Sequence, residues 1–284
     1  MTVSVSTRPS LFRAAALLMG ASFFAYLIGL VVHESGHYVA SLIQGVPEPG
    51  IVLHPFDQSH NNYGGDISQA LGTPLRLALN GAVGPVFNVL LGVAVSLLLW
   101  RRRSSRWLPF LMWGSLALLV EGVGMIIGLV DYPNVRSDWV DVMAAGVPPV
   151  VIGLFAAVLL VVGWVWIQLL LPLAGVGSED PFWRKLIIFL AGIPMLQLGA
   201  VIYLTLLGPS GAAPEGYVLQ SRQIALAASV GLVATIAALH RPLFSFLNRI
   251  SHSRVALVAW GEAGLAMGLG AAMVVFQLVF FNEV

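Results

Sequence analysis

The sequence predicts an all-α polytopic integral membrane protein with about seven transmembrane helices. Composition is the first reason, because 58% of the 284 residues are hydrophobic and only 10% are charged, whereas a soluble domain has about 25% charged residues. The second reason is the recurrence of apolar runs of about 20 residues, the length that crosses the hydrocarbon core of a bilayer as a helix. An ordinary soluble enzyme is therefore excluded.

The seven apolar runs follow one another with short polar connections. The first run is too long for a removable signal peptide and carries informative polar residues, so we expect it in the mature protein. The runs are 11–44, 74–100, 107–130, 149–173, 186–207, 223–240 and 255–281.

Charge and cysteine content narrow the functional classes. The 14 basic and 13 acidic residues nearly cancel, so no basic surface favours a nucleic-acid partner. Cysteine is absent, which excludes disulfides, thiolate catalysis and zinc bound by cysteine. A transition metal would therefore have to be held by histidines and carboxylates.

Basic residues also predict the orientation in the membrane. If the N-terminus is cytoplasmic, only three of the 14 basic residues lie on the outer side of the membrane, namely Arg76, Arg136 and Arg222. Since arginine and lysine accumulate in cytoplasmic loops, we expect the N-terminus in the cytoplasm. The expected location is a multi-pass protein of a bacterial-type plasma membrane.

The connection after the first run breaks the helical pattern. Between residues 45 and 73 it holds three prolines and the pair Gly64-Gly65, while Ile51, Val52 and Leu53 favour an extended backbone. These features predict a short hairpin or re-entrant loop after the first helix.

One pentapeptide inside the first run has ionisable residues at metal-ligand spacing: His33-Glu34-Ser35-Gly36-His37. On a helix, residues four apart lie on one face, so both imidazoles can bind one metal ion while Glu34 reaches the attacking water. Ionisable groups inside a membrane are costly and are normally functional. The alternative is that the two histidines only hydrogen-bond to neighbouring helices beside a protonated Glu34.

A hydrolytic zinc site usually takes three protein ligands, so one more must come from elsewhere in the chain. The connection 131–149 carries three aspartates and lies at the membrane face where the first helix ends. Spacing alone does not choose among them. The candidates are Asp131, Asp138, Asp141, Glu121, His54, His60 and Asp66.

Three of these candidates, and Glu262, have a simpler default interpretation. Glu121 and Glu262 lie inside apolar runs, where we expect a protonated side chain in a helix contact. Glu121 has an alternative role, as the acceptor of a hydrogen bond from a ligating histidine. His54 and His60 lie in a connection predicted to be wet, where uninvolved surface histidines are expected.

The pentapeptide His33–His37, followed by Gly84-Pro85-Val86-Phe87-Asn88 in the next run, resembles the site-2 protease family of intramembrane zinc metalloproteases. That family pairs an HExxH helix with a Gly-Pro-x-x-Asn helix and takes its third zinc ligand from an aspartate after a Pro-containing turn. The matching aspartate is Asp138, although Trp139 stands where the family usually has glycine. The resemblance covers about residues 15–145 and does not extend to the last four runs.

The resemblance implies a role for each matching residue. It implies Zn²⁺ bound by His33, His37 and Asp138, a proton accepted from water by Glu34, and a substrate backbone positioned by Asn88. For Asn88 an interhelical hydrogen bond is an equal alternative. The implied organisation is a metalloprotease core over residues 1–145, followed by four additional transmembrane helices of unassigned role over residues 146–284.

The implied function is hydrolysis of a peptide bond in or near the membrane segment of a membrane-anchored protein. The substrate helix must unwind locally before attack, and a hairpin within 51–66 could hold the unwound strand by edge pairing. The alternative is a catalytically inactive membrane scaffold, or a metal-binding membrane protein with a protease-like core. The substitution at Trp139 keeps this alternative open.

Two expectations about the membrane face of the site disagree. The family usually has its zinc nearer the cytosolic face, whereas the arginine distribution puts the C-terminal end of the first helix outside. Eleven basic residues on the predicted cytoplasmic side against three on the other side favour the orientation that the arginine distribution predicts.

Overall fold

The fold is described from a computed structural model of the chain. The description covers residues 10–56, 59–63, 67–131, 137–177, 179–192, 194–207, 222–227, 229–231, 233–235, 237–238 and 258–281.

The first helix, α1 (Leu11–Ile43), contacts several later helices of the bundle. Its start is capped by Ser10, whose hydroxyl accepts a hydrogen bond from the Arg13 amide. Its end is set by Gly45, whose positive φ of 73° reverses the chain and lets the Val46 amide donate to the Ser41 carbonyl. The helix therefore presents one long surface to several neighbours.

A two-stranded hairpin follows α1. Strands β1 (Gly50–Val52) and β2 (His60–Asn62) pair antiparallel, with Ile51 opposite Asn61. The Leu53 amide donates to the carbonyl of Phe281 near the chain's end, which ties the hairpin to the last helix. The hairpin predicted after the first helix is therefore present, and the short helix α2 (Ile67–Leu71) follows it.

The remaining helices continue in chain order. Helix α3 (Pro74–Leu99) starts at the Thr73 cap and contains Pro85. Two short 3-10 turns, Trp100–Arg102 and Ser105–Trp107, lead into the next helix. The others are α4 (Leu108–Asp131), α5 (Asp138–Ala144), α6 (Pro149–Leu170) with a 3-10 turn at Leu171–Ala174, α7 (Phe182–Gly192), α8 (Met195–Leu207), α9 (Arg222–Thr235) and α10 (Trp260–Phe280).

Among the described residues, five helices are long and apolar enough to cross a membrane, namely α1, α3, α4, α6 and α10. The pair α7 and α8 would add a sixth span, bent by 49°. Helix α9 is shorter, about 21 Å at 1.5 Å per residue, less than the hydrocarbon thickness. The chain is thus consistent with a multi-pass membrane protein, whereas the predicted count of seven is not confirmed.

Helices α1 and α10 run in the same direction. The Arg13 guanidinium donates to the Val258 carbonyl before α10, and the Gln277 amide near its end donates to the Leu27 carbonyl.

Two apolar clusters hold the bundle together. The larger one joins α1, α4, α6, α7 and α10, with Leu17, Leu111, Ile167 and Phe189 fully buried. It therefore contains residues from both sides of position 145. The smaller cluster packs α5 against α3, α4 and α6 through Trp139, and this contact fixes the helix that carries Asp138.

Candidate metal centre

Three of the predicted ligands converge at one point. His33 and His37 are one turn apart on α1, and their Nε2 atoms lie 3.1 Å from each other. Asp138 begins α5, where the Ser137 hydroxyl caps the helix by accepting from the Trp139 amide. Its Oδ2 lies 3.2 Å from Nε2 of His33, and its Oδ1 lies 3.4 Å from Nε2 of His37.

The other nitrogen of each imidazole determines which tautomer is present. Nδ1 of His37 lies 2.7 Å from the Asn80 carbonyl oxygen, which can only accept, so this nitrogen carries the proton. Nδ1 of His33 lies 3.0 Å from Oε1 of Glu121, an oxygen that already accepts from the Asn88 amide. In the neutral rings both Nε2 lone pairs therefore point at Asp138, and such a set of acceptors needs a cation at its centre, either a proton or a metal ion.

The spacing of these side chains is compatible with a small metal ion such as zinc. Zinc binds imidazole nitrogen and carboxylate oxygen at about 2.0–2.2 Å, so two ligands of a tetrahedral site lie about 3.3–3.6 Å apart. The Nε2–Nε2 separation is 3.1 Å, the two histidines lie 3.2 and 3.4 Å from different oxygens of Asp138, and one ligand atom from each residue lies within 4.8 Å of the others. Among the residues that the structure describes, His33, His37 and Asp138 are the group of metal-ligating side chains that could hold an ion.

Two glycines of α3 allow this close approach. A Cβ atom on Gly84 would lie 2.5 Å from Cδ2 of His37, and one on Gly81 would lie 2.7 Å from the Asp138 carbonyl oxygen. Both distances are shorter than a normal van der Waals contact of about 3.5–4.0 Å. Both positions of α3 must therefore lack a side chain for His37 and Asp138 to approach each other this closely.

Glu121 on α4 supports the site from the side opposite Asp138. Its Oε1 accepts from Nδ1 of His33 at 3.0 Å and from Nδ2 of Asn88 at 2.8 Å. The side-chain oxygen of Asn88, Oδ1, in turn accepts a hydrogen bond from the indole N–H of Trp113 at 3.0 Å. These contacts agree with the alternative interpretation of Glu121, an acceptor for a ligating histidine, rather than with an isolated helix contact.

The same contacts place Asn88 in a buried interhelical network between α3 and α4. The side chain is 3% exposed, and its amide and carbonyl both bond to α4. This arrangement favours the interhelical hydrogen bond over direct contact with a substrate. Positioning of a substrate by Asn88 stays a prediction.

Glu34 is also held in a defined position. It lies on α1 between the two histidines and is 6% exposed. The Asn61 amide, from the middle of β2, donates to Glu34 Oε2 at 2.7 Å and to the Glu34 carbonyl at 3.2 Å. Sequence reasoning did not single out Asn61, because nothing in the residues 45–73 relates it to a glutamate 27 positions earlier.

The carboxyl of Asp138 stays ionised in this environment. Partial burial would raise its pKa, but when the imidazoles are protonated, the charge of His37 and the hydrogen bonds that both rings donate outweigh burial and hold the pKa of Asp138 well below its usual range. An ionised carboxylate is the form that binds a metal ion. Trp139 does not disturb this geometry, because its buried ring belongs to the core beneath α5.

The other candidate ligands lie elsewhere. His54 was expected at the surface, but it is 2% exposed, accepts from the Phe56 amide and packs against the ring of Tyr203. His60 lies in β2, and Asp141, one turn beyond Asp138, is not part of the three-residue group. The side chains of Asp131 and Asp66 lie outside the described residues.

Glu262 also differs from its default interpretation. It was expected in a helix contact within an apolar run, but it lies in the first turn of α10, where its Oε2 accepts from the Ala259 amide at 3.1 Å. This carboxylate therefore caps the helix.

Comparisons with known proteins identify no relative. The chain matches no family model, no curated protein and no solved structure. The function therefore has to be argued from the site.

Proposed function

We propose that the protein is an intramembrane zinc metalloendopeptidase that hydrolyses a peptide bond in or near the membrane segment of a membrane-anchored protein. The observation that supports this most is the group of three acceptors, His33, His37 and Asp138, whose ligand atoms lie within 4.8 Å of one another beside a buried glutamate. A purely structural metal site would have no need of Glu34, which is held next to the ligands without being one of them.

The residues present suit zinc and the chemistry it would supply. His33 and His37 would bind through Nε2 and Asp138 through its carboxylate, which leaves a fourth position open. When bound, zinc would act as a Lewis acid toward the peptide carbonyl and toward water. Asp138 is partly exposed, with 36% of its side chain accessible, so a substrate would approach from this side.

Glu34 would act as the general base and then as the general acid. It would accept a proton from the attacking water and pass that proton to the leaving nitrogen. The Asn61 amide binds one oxygen of its carboxylate, which orients the group. Glu121 would accept a hydrogen bond from Nδ1 of His33 and so fix the orientation of that imidazole ring, which would face the reacting carbonyl.

The depth of the site suits a substrate in the membrane. His33 lies ten residues before the end of α1, about 15 Å along the helix axis. A helical substrate shields its peptide bonds with its own hydrogen bonds, so it would have to unwind before cleavage. The resemblance of His33–His37 and Gly84–Asn88 to the site-2 protease motifs points to the same class of substrate.

The test replaces the base and keeps the ligands. The Glu34→Gln variant should bind zinc like the parent but lose cleavage of a membrane-anchored test protein in proteoliposomes, because an amide cannot accept the proton of water. Glu48→Gln, at an exposed position in the loop after α1, is the matched control and should cleave normally. Full activity in Glu34→Gln would refute the proposed chemistry.

The second candidate function is a metal-binding scaffold without hydrolysis. It would share the zinc site, so metal content does not separate the two functions. If the zinc-loaded parent and Glu34→Gln were equally inactive on membrane-anchored proteins with helix-destabilising residues in their spans, the scaffold would be favoured.

A further inference from the structure

The side-chain amide of Asn61, in the hairpin, donates hydrogen bonds, while its carbonyl oxygen has no hydrogen-bond partner in the part of the chain that the structure describes. Its Nδ2 donates to two oxygens of Glu34. This fixes the orientation of the amide, because a flip would direct Oδ1 at two acceptors. Oδ1 is buried and has no hydrogen-bond partner among the described residues.

A buried acceptor without a partner is unfavourable, and native structures satisfy most such atoms. Since Oδ1 and Nδ2 share one carbon, the free acceptor lies directly beside the Glu34 carboxylate. A ligand that fills this position must present a hydrogen-bond donor next to the general base. The N–H of a peptide bond is such a donor.

We propose that Asn61 is a substrate-binding residue whose Oδ1 accepts the N–H of the scissile peptide bond while its Nδ2 holds Glu34. This inference rests on the proposed peptidase function and deepens it. Hydrolysis adds water across the C–N bond: the carbonyl carbon takes the OH, and the nitrogen takes the proton that passes through Glu34. When Glu34 passes its proton to this nitrogen before the C–N bond breaks, the nitrogen becomes positively charged and its N–H becomes a stronger donor, so an acceptor at this position binds the leaving group more tightly in the transition state than in the substrate.

The hairpin holds Asn61 firmly enough for this role. Asn61 is the central residue of β2 and pairs with Ile51 in register. Beyond β1, Leu53 is bonded to the end of α10. The neighbouring Asn62 points to the other side of the strand, because side chains alternate along a β-strand, which makes it a matched control.

The test compares an amide with an ester. A fluorogenic peptide that the zinc-loaded parent cleaves at a mapped bond is synthesised again with an ester in place of that amide, which removes the N–H. Asn61→Ala should lower kcat/KM on the amide by about 10- to 100-fold more than on the ester. Zinc content should equal that of the parent, and Asn62→Ala should leave the amide-to-ester ratio unchanged.

A second variant separates binding of the substrate from positioning of Glu34. Asn61→Asp keeps an acceptor for the substrate N–H but puts a second carboxylate beside Glu34 in place of the donor, so cleavage of both substrates should slow while the amide-to-ester ratio falls less than in Asn61→Ala. If Asn61→Ala slows the amide and the ester equally, or slows neither, the inference is wrong while the peptidase function stands. If the zinc-loaded parent cleaves no peptide and no membrane-anchored test protein, the proposed function is wrong and the inference falls with it.

Discussion

The contact between Gly84 and His37 gives a quantitative test of how α3 shapes the centre. In Gly84→Ala the new methyl group would lie 2.5 Å from Cδ2 and 2.7 Å from Cε1 of the His37 ring. Carbon atoms prefer separations of about 3.5–4.0 Å, so the ring or α3 must move by about 1 Å. Metal–ligand distances tolerate only about 0.2 Å, and the imidazole would therefore leave the metal.

Gly84→Ala should lower zinc affinity by at least about 10- to 100-fold and should destabilise the protein by about 1–3 kcal/mol through overpacking. Competition with a zinc indicator measures the affinity, and thermal unfolding in detergent measures the stability. Gly124→Ala on α4 is the control, because no described atom lies within 4 Å of its new methyl group. It should bind zinc normally.

The contact itself can be isolated by a double-mutant cycle. In a His37→Ala background the ring is absent, so Gly84→Ala should cost little or even stabilise α3, since alanine favours a helix by up to about 1 kcal/mol over glycine. Normal zinc affinity in the single variant Gly84→Ala, or an equal loss of stability in both backgrounds, would refute the reasoning.

Two further predictions concern the residues around the ligands. Glu121→Leu removes the acceptor for His33 and should weaken zinc binding by about 10- to 100-fold. Glu121→Gln keeps an oxygen acceptor and should weaken zinc binding less. Equal zinc affinity in both variants, measured by indicator competition, would contradict the role of Glu121. Asp141→Ala should keep the zinc stoichiometry of the parent, because Asp141 is outside the three-residue group. If metal analysis showed zinc lost in this variant but kept in Asp138→Ala, the ligand assignment would be wrong.

The parts of the structure that follow local rules could be predicted from the sequence. The run 11–44 is mostly apolar, and α1 ends one residue earlier at Ile43. The pentapeptide puts two imidazoles on one face because a helix turns once in 3.6 residues. The hairpin follows from a short extended segment between prolines and glycines.

The number of spans could not be predicted as easily. The run 186–207 reads as one apolar helix, but the structure bends by 49° between α7 and α8. Pro194 lies at this break and cannot donate the backbone hydrogen bond that a continuous helix needs. The proline was visible in the sequence, whereas the bend angle depends on packing, including the contact of Gly192 with Leu18.

The supporting contacts of the site depend on tertiary packing. Asn61 meets Glu34 across 27 positions, and the Asn80 carbonyl meets His37 across 43. Backbone carbonyls leave no signature in a sequence. His54 is buried because Tyr203 of α8 packs against its ring, a neighbour that no local pattern in the residues 45–73 reveals.

The central claim is that His33, His37 and Asp138 bind one zinc ion. X-ray absorption at the zinc edge, combined with metal analysis of protein purified in detergent, tests it most directly. The parent should hold one zinc per chain with only nitrogen and oxygen ligands at about 2.0–2.2 Å, including imidazole scattering that is lost together with the metal in His33→Ala and His37→Ala. A parent that holds no more zinc than these two variants would contradict the account.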